Sequence, residues 1–298
     1  MAVPFLADGL ARGEPVLAVT TPANLELVNS ALGARGSEMA YAESAFFGRR
    51  PAQRIAAFHR YWKRLSARGR TPVRVLAEPV WTGRSAREIL AWKRMESTLN
   101  VALATTTISM ICPYDARILP ESIIAGARRT HPTQVTGART SPCSDYSDPA
   151  AFARECDTSP LPDPPAGAAA YQFDGDLRGL RQFIASIAAA HGLDGDRSML
   201  LVQAASEVGA YLKGQPGNAT VQAWEQPGGI VCDFRQPQAA IGDPFAGLRP
   251  VELDPQPGDG LWLAGQLCDW IDIRSGPEAC TIRLQVPSRR SEEMAQRR

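Results

Sequence analysis

Cysteine and histidine are scarce in this chain, and what there is sits badly for metal binding. The 298 residues include six cysteines with no Cys-x-x-Cys pair and three histidines, His59, His131 and His191, none four residues from another. A structural metal takes closely spaced thiolate or imidazole ligands, so none is expected. The cysteines read instead as small apolar residues in a reducing compartment. An excess of charge is also missing. Thirty-two Lys and Arg face 31 Asp and Glu, leaving a net charge of +1. Such balance gives the chain no global reason to seek nucleic acid or an anionic membrane. No run approaches the ~18 consecutive apolar residues of a membrane span. The start lacks a basic segment ahead of an apolar one, so no signal peptide is expected and the chain reads as cytoplasmic. The phosphate-loop pattern Gly-x-x-x-x-Gly-Lys-Ser/Thr does not occur, which excludes a P-loop nucleotide site.

What is present is enough apolar material for two cores. At roughly 100–200 residues per domain, the length suits two domains. Residues 137–169, rich in Pro, Ser, Asp and Gly, read as an irregular linker. They separate 1–136 from 170–287, and 288–298 reads as a charged, frayed tail. The first part alternates short apolar runs (15–21, 73–79, 108–115) with helical patterns at 22–34, 51–69 and 85–103. Strand–helix alternation at this spacing predicts a mostly parallel sheet covered on both faces. The second part opens with two amphipathic helices, 177–193 and 197–214. Strands at 220–226, 229–235 and 279–287 follow, with a helix running into a strand over 260–275. This pattern predicts an α/β sandwich with a mixed sheet.

The segments Pro4–Val28, Phe46–Ile55, Val73–Ile89 and Ile111–Pro132 give the first part its character. They resemble the methanogen/methylotroph DcmR-type sensory domain. The resemblance implies a RecA/KaiC-like fold without a phosphate loop, here short at its N-terminus, that senses a small ligand or a partner. Candidate pocket residues at its strand ends are Glu78, Trp81, Arg84, Cys112, Tyr114, Asp115 and His131.

The segments Ser206–Leu212, Gly242–Pro250, Pro257–Ser275 and Ala279–Val286 resemble the ATP-binding domain of the gyrase, histidine-kinase and MutL superfamily (the Bergerat fold). Within it they are nearest to the anti-sigma-factor serine kinases. The resemblance implies Mg²⁺ and ATP as cofactors where the site is intact and none where it is not. It makes Glu207 a candidate base. Tyr211 stands where the family's Mg²⁺-ligating Asn belongs, and Gln236 where its adenine-binding Asp belongs. A phenol is a poor ligand for a hard cation, and an amide accepts without charge assistance. Gly258, Gly260 and Leu261 match the family's glycine loop, and Thr281 its pocket-closing residue. No histidine is followed by the acidic residue of a phosphoacceptor helix, which excludes a two-component histidine kinase. The implied protein is a regulator that binds a sigma factor or an anti-sigma antagonist. An active serine kinase and a ligand-binding protein with a relic ATPase domain are the alternatives. A small-molecule ligand and a second copy of the chain complete the candidate partners.

Overall fold

The computed structural model describes residues 1–69, 72–137, 139–251, 258–276 and 278–287. The charged tail expected at 288–298 lies outside them. The chain divides into two units, Met1–Phe152 and Ala153–Arg298.

The first unit begins with α1 (Ala2–Ala11), β1 (Val16–Thr20) and α2 (Pro22–Leu32). Helix α2 starts where Thr21 accepts from the Asn24 amide at 3.3 Å and Pro22 presets the first turn. A 3₁₀ turn leads to β2 (Ala40–Glu43), followed by α3 (Pro51–Ser66), β3 (Val73–Ala77), α4 (Ala86–Ala102), β4 (Ile108–Ile111) and α5 (Glu121–Thr130). Ser85 and Glu88 form a capping box that fixes the start of α4. The four strands run parallel in the order β2-β1-β3-β4. Alternation along β1 sends Val16 and Ala18 into one apolar layer with Leu6, Leu10 and Val28 of α1 and α2. Leu17 and Val19 enter the opposite layer with Phe58 of α3 and Val73, Val75 and Ala77 of β3. Both faces of the sheet are therefore covered.

One charged side chain is built into the first layer. Arg74 on β3 donates from Nε to Glu14 at 2.8 Å, and from Nη1 to Asp8 at 2.8 Å and to the Phe5 carbonyl at 2.9 Å. Its guanidinium also lies 4.8 Å from the Phe5 ring centre. It thereby ties α1 to the sheet.

The segment read as an irregular linker, 137–169, is more ordered than its composition suggests. Strands β5 (Thr133–Thr136) and β6 (Arg139–Pro142) pair as a hairpin, and α6 (Pro149–Asp157) runs across the boundary between the units. Asp148 accepts from the Ala151 amide at 2.8 Å, Pro149 opens the helix, and Phe152 and Cys156 bury one face at i, i+4 spacing. Among the described residues of this segment, 137, 143–148 and 158–168 lack helix and strand.

The second unit comprises β7 (Ala169–Phe173), α7 (Leu177–Ala190), α8 (Gly195–Lys213), β8 (Ala219–Gln226), β9 (Gly229–Pro237), α9 (Asp259–Leu267), β10 (Trp270–Ser275) and β11 (Ala279–Val286). Its strands run in the order β10-β11-β9-β8-β7, and all four pairings are antiparallel. The sheet expected to be mixed and largely antiparallel is antiparallel in every pairing, and β7, which the sequence reading missed, adds at the β8 edge. Asp176 and Asp194 cap α7 and α8. Leu180, Ile184, Leu201 and Val208 of these helices pack on Val221, Cys232, Phe234, Ile282 and Leu284 of the sheet. All six cysteines are free thiols, five of them buried.

Replacing Arg74 with Met keeps the apolar stem and removes three contacts to α1 and its following loop. The variant is expected to lower Tm by roughly 4–8 °C and to speed amide exchange in residues 2–11 selectively. Wild-type exchange there would show that Arg74 does not hold α1.

Candidate functional site

The order of the parallel sheet fixes where polar chemistry can gather. Strands β1 and β3 are neighbours, but the chain leaves β1 toward α2 on one face and β3 toward α4 on the other. A crevice opens beyond the carboxyl ends of such strands. There the Glu78 carboxylate accepts from Asn24 Nδ2 at 2.7 Å and from the Thr20 hydroxyl, and the Glu78 carbonyl accepts from Ser44 Oγ at 2.6 Å. The ends of β1, β2 and β3 are joined in one network.

Beside this network lies a cluster centred on α3 and α4. Arg54 is buried and donates from Nη2 to the Ser44 carbonyl at 2.6 Å and to Ser44 Oγ at 3.0 Å. Its guanidinium sits 5.1 Å from the Trp92 ring centre, and that of Arg84 sits 3.9 Å from the same ring. Glu96, one turn beyond Trp92 on α4, accepts a hydrogen bond from the Tyr114 hydroxyl. The Tyr114 ring lies 6.4 Å from Trp81 and meets His131 edge-on at 5.6 Å. Four buried polar atoms of the cluster make no hydrogen bond within the protein: Arg54 Nε, Trp81 Nε1, Trp92 Nε1 and Glu96 Oε2.

Burial sets the charges here. It pushes the Glu96 carboxyl up to about 8, against the opposing effects of Tyr114, Lys93 and the two arginines. Burial lowers Arg54 and Arg84 to about 10, so both stay cationic near neutrality. It also pushes the Cys112 thiol up, which argues against a thiolate, and lowers His131, whose Nδ1 lies 2.9 Å from the Ala127 carbonyl. At neutral pH the cluster therefore holds two cations and a largely protonated acid.

Among the residues expected at the strand ends, the structure brings together Glu78, Trp81, Arg84, Cys112, Tyr114 and His131. Asp115 stands apart: Arg117 binds its carboxylate through side chain and backbone and holds it down at about 2. The sequence reading missed Thr20, Asn24, Ser44, Arg54, Trp92 and Glu96. Glu96 had a signal, being four residues after Trp92 on the apolar stripe of α4.

The second unit gathers most of its expected residues at one end of α8. An added Cβ on Gly260 would lie 2.8 Å from Glu207 Oε2 and 3.5 Å from the Glu207 carbonyl, so α9 lies against α8 at the glycine. Glu207 also accepts from Gln203 at 2.6 Å. Gly258 opens α9 at φ 101° beside the Tyr211 ring, and Leu261 is buried in the core. Gln236 directs its amide nitrogen at the carbonyls of Leu212, Gln215, Pro216 and Gly217 (2.8–3.3 Å), closing the end of α8. Its Oε1 is buried with no partner. Thr281 does not join them. Alternation turns Cys280 into the core near Tyr211 and puts Thr281 on the opposite face, opposite Arg235 and Arg274 in register. Among the described residues no group of His, Cys, Asp and Glu could hold a metal ion. None of the described helices is long and apolar enough to cross a membrane.

Residues 1–132 match the family model of MEDS, the methanogen/methylotroph DcmR sensory domain. Over these residues the first unit is similar to that sensory domain. The match ends at the start of the β5–β6 hairpin and encloses the strand-end crevice and every residue of the cluster. No curated protein matches the chain.

Two outcomes follow from these side chains. Glu96 has a folded value above its unfolded 4.5, so stability falls as pH rises from about 4.5 to about 8 and then levels. Glu96→Gln removes that slope and should gain on the order of a few kcal/mol over wild type near pH 8, read by denaturant titration at several pH values. Parallel slopes would refute the buried acid. In the second unit, Gln236→Met leaves the α8 carbonyls without their donor and should cost about 1–3 kcal/mol. Unchanged stability would show that the amide does not close that helix end.

Proposed function

We propose that the protein is a signalling regulator that senses a small molecule in the strand-end crevice of its MEDS-like domain. In this reading the second unit acts by protein contact, holding a sigma factor or an anti-sigma antagonist. The observation that carries it is the convergence of Glu78, Arg54, Trp81, Trp92, Glu96 and Tyr114 at one edge of the sheet, with buried hydrogen-bonding atoms left open. A sensory domain needs such groups, because a ligand that satisfies them can be told from one that does not.

The contact role for the second unit rests on three features. Tyr211 supplies a phenol where the resemblance calls for an amide ligand to Mg²⁺, α9 leaves no space for a Cβ beside Glu207, and the Gln236 amide nitrogen is engaged at the end of α8. The alternative of an active serine kinase keeps one supporting observation. Glu207, Tyr211, Gly258 and Gly260 do share one end of α8, and Gln236 Oε1 remains open as an acceptor.

Calorimetry and thermal shift separate these readings. The full chain is expected to show no measurable heat with Mg-ATP at micromolar concentration. A panel of small metabolites should yield ligands that raise Tm, and Trp81→Ala should abolish the effect. Micromolar Mg-ATP binding would restore the kinase reading, and a panel without any stabilising compound would remove the sensing one.

A further inference from the structure

The four open atoms of the cluster belong to side chains that are more than nine-tenths buried. Leaving a buried donor unsatisfied costs about 1–3 kcal/mol, so native proteins rarely collect several in one place. Arg54 and Glu96 are close enough to influence each other's charge, yet they form no ion pair, and Arg54 Nε and Glu96 Oε2 both remain open. An arginine and a carboxyl group buried in one cluster would each be satisfied by hydrogen-bonding to the other. Here Ser44 pulls the guanidinium one way and Tyr114 holds the carboxyl the other.

The open set is dominated by donors. Arg54 and the two indoles each offer an N–H, and the Tyr114 hydroxyl already occupies Oε1 of Glu96, leaving Oε2 to carry the proton of the neutral acid. Arg84 adds a second cation over the Trp92 ring. A group that complements several N–H and O–H donors and two guanidinium charges must be an acceptor and an anion. We propose that this cluster binds a small carboxylate, held between Arg54 Nε, the indole N–H groups of Trp81 and Trp92, and the open oxygen of Glu96. The proposal rests on the sensing reading and names the ligand class for the same site.

A pH signature follows. The groups facing Glu96 are Tyr114 and Cys112 after β4, Lys93 on its own helix, Arg84 before that helix, and Arg54 on α3. Of these, Glu96 is the group that loses its proton as the pH passes about 8, and its anion would then repel the ligand. Affinity should fall between pH 7 and 9.

The test uses the full chain in calorimetry and thermal shift with sodium acetate and propionate. Acetamide, inorganic phosphate and sodium chloride serve as comparators. Acetate or propionate should raise Tm with saturation, and acetamide should not. Trp92→Phe and Trp81→Phe, which keep a ring and lose the N–H, should each weaken binding by about 5–10-fold. Trp62→Phe, whose N–H bonds Thr107 well away from the cluster, should not weaken it. At pH 9 Glu96→Gln should bind more tightly than wild type. Arg54→Met should bind at least ~50-fold more weakly, and if it fails to fold, the two indole variants decide the question. Binding of acetamide without acetate, preference for phosphate, or indifference to both indole variants would overturn the carboxylate class while leaving the sensing reading in place. If neither these probes nor the wider metabolite panel binds, both readings fall.

Discussion

Burial of the parallel sheet on both faces is the constraint on which the first unit depends. Strands β1 and β3 are apolar along nearly their whole length because each side chain, up or down, meets a helix layer. Polar groups are then confined to two kinds of place. One is a neutralised inclusion such as Arg74, whose charge is matched by Asp8 and Glu14 and whose guanidinium lies over the Phe5 ring. The other is the carboxyl edge, where strand ends and helix starts leave room for Thr20, Asn24, Ser44 and Glu78. The strand order, with β1 and β3 departing to opposite faces, makes that edge a crevice.

The second unit meets a different constraint. A five-stranded antiparallel sheet with its helices on one face must bury Cys232, Phe234, Ile282 and Leu284 beneath α7 and α8. Close approach requires small residues. Gly209 of α8 lies against Leu180 and Leu177 of α7, and Gly260 of α9 lies against Glu207 of α8. Helix α8 is therefore held from both sides, and its end is closed by Gln236. Residues that could make a nucleotide site are here also the residues that lock the helices together.

Much of this was legible in the sequence, for physical reasons. Apolar runs of five residues flanked by turn signals gave β1 and β3, and the amphipathic patterns gave α3, α4, α7 and α8. Helix α6 was hidden because the Pro-, Ser-, Asp- and Gly-rich composition of 137–169 covers Asp148-Pro149, which starts a helix. Strand β7 was hidden because its burial is weak until Phe173. At the site, residues on strand ends could be found from strand boundaries alone, which gave Glu78, Trp81, Cys112 and Tyr114. Arg54 and Glu96 lie on helices, and only the packing of α3 and α4 onto one face brings them together. Thr281 came from the resemblance alone, and alternation along β11 turns it to the face opposite that of Cys280.

Buried charge occurs in both units, and the contrast between the two cases separates structure from function. In the second unit Arg283 closes on Asp233 at 2.7 Å and packs 5.0 Å from the Trp224 ring centre. That pair closes on itself, although Arg283 Nε and Asp233 Oδ1 make no hydrogen bond within the protein. In the first unit Arg54 and Glu96 share a buried cluster without touching, each held back by a hydrogen bond to a different loop. A protein gains nothing in stability by keeping such a pair apart, since closing it would satisfy two of the four open atoms. The separation is therefore best explained by a third group that fits between them, and the ring and indole geometry around Trp92 sets what that group must be: small, planar at its polar end, and rich in acceptors.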